Sequence, residues 1–207
     1  LWETTVAALA IARFGTEAQR ARLLPGVAAG TTRLSVAVDL TGTAPTVSAD
    51  GSALTGTAAL VPQAHVADAL LVVADAGVLL VETAGLPRVD VPTTSHALAS
   101  DVTFDATPAE PLGDGTSAAW LADRLRVGLA AVVLGAADAG VREAAAYLSG
   151  REQFGRALAT FQAVSQQLGD AYCDVQAMRA AWYRTDDELT QKSQYGLHCS
   201  QGAANKT

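Results

Sequence analysis

The chain has 207 residues, half of them hydrophobic and 17% charged, so it has enough apolar surface to offset its conformational entropy and is not disordered throughout. A formal net charge of -7 excludes a general nucleic-acid or anionic-membrane surface, because both require basic patches. No apolar run reaches the roughly 18 residues of a membrane-spanning helix, and Cys173 and Cys199 lack metal-ligand or disulfide-framework spacing. These features predict a soluble protein of a reducing, cytoplasmic compartment. Leu1 begins inside a helical pattern, which predicts that the natural N-terminus lies upstream.

Trp2, Val6, Leu9, Ala10 and Phe14 recur at helical spacing and stop at Gly15. Thr16 and Gln19 then form a capping-box pattern for a short helix expected to close at Pro25-Gly26. Between residues 32 and 112 the texture changes to short strands separated by Gly, Pro, Asp and Thr turns. The expected strands are Leu34 to Leu40, Ala53 to Thr57, Ala69 to Val73, Val78 to Glu82, Arg88 to Val91 and Val102 to Phe104. Asp50-Gly51 is the strongest hairpin signal among them.

Thr116 is expected to cap a long helix running to about Ser149, with Leu121, Leu125, Leu129, Val132 or Val133, Ala136 and Tyr147 on its apolar face. After a break at Phe154-Gly155, the residues Phe161, Val164, Leu168, Tyr172, Val175 and Met178 mark a second amphipathic helix. Cys173 falls on that face and is expected to be a small buried hydrophobe. From residue 191 periodicity is lost and an irregular tail is expected. Two such helices leave apolar surface for further helices or another subunit to cover.

His65, His96 and His198 have no i, i+4 partner, so no metal site is expected. No glycine-rich phosphate loop follows a predicted strand, and Ser35, Ser48 and Ser149 lack a nucleophile-elbow context.

The most specific stretch is Tyr147-Leu148-Ser149-Gly150-Arg151-Glu152-Gln153-Phe154-Gly155-Arg156, followed by Phe161-Gln162. It resembles the acyl-CoA dehydrogenase family, whose signature is a tyrosine, an Arg-x-Gln-Phe-Gly turn and a following Phe-Gln. Gly15 to Gln19 with Leu23-Leu24-Pro25, Leu54-Thr55-Gly56 and His65-Val66-Ala67-Asp68 extend the likeness, which covers about residues 1 to 185. It implies an α+β fold: the end of an N-terminal helical domain (1–31), a middle small β-barrel domain (32–112) and an incomplete C-terminal helical bundle (113–190), before the tail (191–207). It also implies FAD-dependent α,β-dehydrogenation of an acyl-CoA thioester, with electron-transfer flavoprotein as electron acceptor and a homo- or hetero-oligomeric assembly.

In that family the Arg-x-Gln-Phe-Gly turn reaches the FAD of a neighbouring subunit, so Arg151, Gln153 and Phe154 become cofactor-contact candidates. Their chemistry suits the role: a planar guanidinium for a pyrophosphate, an amide, and a flat apolar ring. Asp123 and Arg126, placed on one helical face by i, i+3 spacing, fall where family members approach the acyl-CoA. Two departures stand beside these matches. Ser35 and Val38 replace an aromatic residue and a Thr at the β-domain entrance, and Leu60-Val61-Pro62 replaces Trp-Ile-Thr, all on the face that should hold this subunit's own flavin. The family's catalytic carboxylate lies in a later helical segment or, in some members, at the position of Leu125, so no catalytic residue is assigned. A non-catalytic subunit that completes a partner's FAD site is the alternative reading.

Overall fold

A computed structural model describes residues 2–38, 47–50, 52–94 and 96–204, by backbone alone beyond residue 189. They form two compact units, Leu1–Arg126 and Val127–Thr207.

In the first unit α1 (Trp2–Phe14) buries Val6, Ala7, Ala10 and Ile11 on one face. It stops at Gly15, where a Cβ would lie 2.5 Å from the Ile11 carbonyl oxygen. The capping box of α2 (Glu17–Ala28) is present: Thr16 accepts from the Gln19 amide at 3.2 Å, and Gln19 Oε1 accepts from the Thr16 amide at 2.9 Å. The expected stop at Pro25-Gly26 is overturned, since α2 runs through Pro25 to Ala28. The helix closes instead in a Schellman arrangement with Gly30 at φ 74°, the Thr31 amide donating to the Gly26 carbonyl and the Gly30 amide to that of Val27. Proline removes one helical donor, whereas left-handed backbone at Gly30 ends the helix outright.

Two four-stranded sheets follow. The first has the order β1-β4-β5-β8, built from β1 (Leu34–Ala37), β4 (Ala69–Ala74), β5 (Gly77–Glu82) and β8 (Glu110–Pro111). Its β1 and β4 pair in parallel and its other pairs are antiparallel. The second is wholly antiparallel, with the order β2-β3-β7-β6, from β2 (Val47–Asp50), β3 (Ala53–Pro62), β6 (Arg88–Val91) and β7 (Ala99–Pro108). The expected barrel is corrected to this pair of open sheets among the described residues. The Asp50 hairpin joins β2 to β3, its Gly51 lying outside the described residues. The end of the expected 34–40 strand, residues 39 and 40, lies outside them as well. Both β3 and β7 are longer than their apolar patterns suggested, because β3 continues across two register shifts, one of them containing Leu60 at φ 53°.

Alternation along the strands sends the first sheet into two cores. Leu70, Val72, Leu79 and Val81 meet Leu54, Val61, Val102 and Phe104 of the second sheet. On the opposite face Leu34, Val36, Leu71 and Leu80 meet Val6 and Ile11 of α1 and Leu121 and Leu125 of α3 (Ser117–Gly150). Gln19 Nε2 ties α2 to β8 by donating to Glu110 Oε2 at 3.0 Å and to the Pro111 carbonyl at 3.2 Å. Arg22 completes this junction at 2.8 Å from Glu110 Oε1. At the start of α3, Asp114 Oδ1 accepts from both the Thr116 amide (2.9 Å) and the Thr116 hydroxyl (2.5 Å). Thr116, immediately before the helix, is therefore held by an Asp turn. These bonds, the Thr116 hydroxyl first, lower the Asp114 pKa.

The second unit contains the rest of α3, the strands β9 (Glu152–Gln153) and β10 (Arg156–Ala157), a 3-10 turn (Leu158–Thr160) and α4 (Gln162–Ala204). Trp182 Nε1 donates to the Val127 carbonyl at 3.0 Å, and Asp138 accepts from Arg179 at 2.8 Å and pairs with Arg142 at 2.9 Å. The bonds of Trp182 and Arg179 join α4 to α3, whereas the Asp138–Arg142 pair lies within α3. The irregular tail expected from residue 191 is corrected, since α4 continues as helix to Ala204. Once nucleated, a helix propagates through Gln, Lys, Ser and Ala without needing apolar periodicity. Cys173 is exposed, not buried, because the apolar face of α4 is wider than the surface α3 offers it.

Replacing Gln19 by Ala removes the capping box and the α2–β8 tie together. It should cost about 2 kcal/mol, against about 1 kcal/mol for Thr16→Ala, in denaturant unfolding of the two variants. The Glu110 pKa is lowered, chiefly by the hydrogen bond from Arg22 and then by that from Gln19. A carboxylate depressed in the folded state stabilises it above the ordinary carboxylate range and loses that contribution as pH falls through and below that range. Both side chains are more than 40% exposed, so the screened contribution is below about 1 kcal/mol. Glu110→Gln should remove this part of the acid dependence of Tm while changing Tm little at pH 3.

Candidate functional site at the Arg151 hairpin

The end of α3 turns directly into a small hairpin. The Arg151 amide donates to the Tyr147 carbonyl at 2.9 Å, continuing the helical ladder, and the Leu158 amide returns to the Arg151 carbonyl at 2.8 Å. Between these bonds Gln153 pairs with Arg156 and Glu152 with Ala157. The connection is two residues long, Phe154 at φ 54° and Gly155 at φ 77°. Positive φ at both positions is the signature of a type I′ turn, whose twist matches that of the paired strands. Gly155 adopts it freely, but Phe154 does so against its Cβ.

Arg151, Gln153 and Phe154 are thereby brought together on one exposed hairpin, with Phe154 91% exposed. The Phe154 ring meets Phe161 edge to face, at 6.3 Å between centroids and 80° between planes. Arg156 lies over the other aromatic of this pair, its guanidinium carbon 3.9 Å from the Phe161 centroid. Its local signal is slight: a cation directly after the turn glycine, with an aromatic five residues on.

Asp123 and Arg126 are also brought together, Arg126 Nη1 lying 3.2 Å from Asp123 Oδ1. Both are about half exposed and belong to the first unit, whereas the hairpin belongs to the second. Leu125, between them, is fully buried among apolar neighbours, so that position offers no carboxylate. Ser35, which stands where an aromatic residue was expected, is buried and donates its hydroxyl to the Pro62 carbonyl. The two divergent segments, at β1 and at the end of β3, are thus bonded to each other. Leu60 is 55% exposed at positive φ. No group of His, Cys, Asp and Glu suited to a metal ion occurs among the described residues, nor does any helix long and apolar enough to cross a membrane.

Residues 113–197, which contain the hairpin, match the family model described as acyl-CoA dehydrogenase, C-terminal domain. The curated acyl-CoA dehydrogenase FadE27 of Mycobacterium tuberculosis (strain ATCC 25618 / H37Rv) is 34% identical over 93% of this chain and 56% of its own length. Among solved structures, the Tcur3481-Tcur3483 steroid ACAD superposes with a TM-score of 0.86 at 43% identity, over 92% of this chain and 56% of that one. The ChsE4-ChsE5 complex from Mycobacterium tuberculosis superposes with a TM-score of 0.76 at 30% identity, over 91% of this chain and 57% of that one. The chain thus spans about half the length of the curated relatives it matches. With the Arg-x-Gln-Phe-Gly hairpin at the end of a long helix, an α+β unit before it and these relatives along nearly its whole length, the chain belongs to the acyl-CoA dehydrogenase family.

Proposed function

We propose that this chain is part of an FAD-dependent acyl-CoA dehydrogenase, an oxidoreductase acting in lipid breakdown by α,β-dehydrogenation of an acyl-CoA thioester. The observation that carries the reading is Phe154, an aromatic ring left 91% exposed on a hairpin whose backbone is held at φ 54°. Strained, exposed aromatics are costly and point to a surface that meets a ligand. Arg151, Gln153 and Phe154 fit the adenine dinucleotide part of an FAD held by a neighbouring subunit, since the guanidinium pairs with a pyrophosphate, the amide hydrogen-bonds and the ring packs flat. Bound FAD supplies the hydride-accepting chemistry. Asp123 and Arg126 orient the acyl-CoA. Proton removal at the α carbon needs a carboxylate base, and with Leu125 buried that base comes from another segment or subunit.

One observation favours a second reading, a non-catalytic subunit that completes a partner's FAD site. The Ser35 hydroxyl, on the side where this chain's own flavin would bind, is committed to the Pro62 carbonyl. Two structural relatives carry names of two different polypeptides, which supports a hetero-oligomer, and one of them is called a steroid ACAD, which supports a steroid thioester as substrate. In this reading residues 1–31 close an N-terminal helical domain, 32–112 are the middle domain and 113–190 begin the helical bundle. The assembly works in the cytoplasm and passes its electrons to electron-transfer flavoprotein.

Visible flavin absorption of the purified chain, alone and after co-expression with a partner subunit, tests both readings. Flavin retained only with the partner identifies the supporting subunit, and flavin retained alone identifies a dehydrogenase subunit in its own right. In whichever assembly holds flavin, Arg151→Ala should weaken FAD binding about 10- to 100-fold through loss of a charge-assisted hydrogen bond. Unchanged affinity would remove the hairpin from the cofactor site.

A further inference from the structure

We infer that Arg156 is a positioning residue: stacked on Phe161, it holds the Phe154-Gly155 turn in the conformation that presents Phe154 and Gln153. The functional consequence rests on the flavin reading above, but the mechanism rests on the hairpin alone. A hairpin of two residue pairs is marginal in water, and this one has an unfavourable residue at its first turn position, Phe154 at φ 54°. With Arg151, Glu152, Gln153, Phe154, Gly155 and Arg156 all exposed, it has no core of its own, and something besides its ladder must keep it formed.

Arg156 is placed to do so in two ways. Its backbone is the cross-strand partner of Gln153, so it closes the turn. Its guanidinium carbon lies 3.9 Å from the Phe161 centroid, well inside the roughly 6 Å range over which a cation is attracted to a ring face. Phe161 in turn meets Phe154 edge to face, an arrangement in which the ring quadrupoles attract. The cation, the first ring and the second ring thus form one stack that begins on β10, passes through the residue preceding α4 and ends at the turn. Because Phe161 sits at the start of α4, the stack fastens the turn to a long helix and not merely to its own strands.

The test uses the full chain with Arg156→Met, which keeps length and removes charge, and Arg156→Lys, which keeps a cation over the ring. Hydrogen exchange at the Leu158 amide, which donates to the Arg151 carbonyl, reads hairpin opening without flavin, and titration of FAD into the flavin-binding assembly reads the consequence. Arg156→Met should speed exchange and weaken FAD binding, each about 2- to 5-fold, and Arg156→Lys should restore most of both. Unchanged exchange in Arg156→Met would overturn the inference, as would Arg156→Lys behaving like Arg156→Met. Faster exchange with unchanged FAD affinity would support the positioning role and overturn the flavin reading instead.

Discussion

Burial of the first sheet on both faces is the constraint on which the first unit depends. Strand side chains alternate between faces, so a sheet covered by helices on one side and by a second sheet on the other needs apolar residues at every position. This is why β4 reads Ala69-Leu70-Leu71-Val72-Val73-Ala74 and β5 reads Gly77-Val78-Leu79-Leu80-Val81, and why Leu70 and Leu71, adjacent in sequence, belong to different cores. Each fully buried Leu or Val of this kind contributes about 1.5–3 kcal/mol. Buried polar groups in and beside this sheet are partnered: Ser35 of β1 donates to the Pro62 carbonyl, and Thr83, just past β5, to that of Ala67. The same rule accounts for the divergence on the expected flavin face, where a buried hydroxyl serves the protein's own backbone.

The Arg151 hairpin obeys the opposite logic. It is stabilised locally, by the continuation of α3 through Arg151, the return bond from Leu158, and aromatic and cation contacts at its base. Its residues are exposed and its turn holds a phenylalanine where Asn or Gly is preferred. The proposed contact with a partner's cofactor requires an element that is stiff before it binds yet uncovered, and a helix end followed by a two-residue turn meets both demands.

In the second unit Leu129, Val132, Val133, Tyr172, Met178 and Tyr183 are exposed although several lie at helical spacing. Among the described residues, polar bonds between α3 and α4 include those of Trp182 to the Val127 carbonyl and of Arg179 to Asp138. Two helices have too little facing surface to cover apolar stripes of this width.

The sequence by itself determined what depends on local chemistry. The capping box of Thr16 and Gln19, the helix stop at Gly15, the strand segments of the two-faced sheet and the turn at Phe154-Gly155 follow from residue types at short separations. The membership of Arg151, Gln153 and Phe154 in one small element was legible for the same reason. Only the tertiary structure decided the rest. It continued α2 through Pro25, because Gly30 supplied a stronger stop, and it opened the expected barrel into two sheets, because strand order depends on pairings far apart in the chain. It exposed Cys173, because periodicity marks a face without saying what covers it. It also joined the Ser35 side chain to the Pro62 backbone and laid the Arg156 side chain on the Phe161 ring, contacts that no spacing rule encodes.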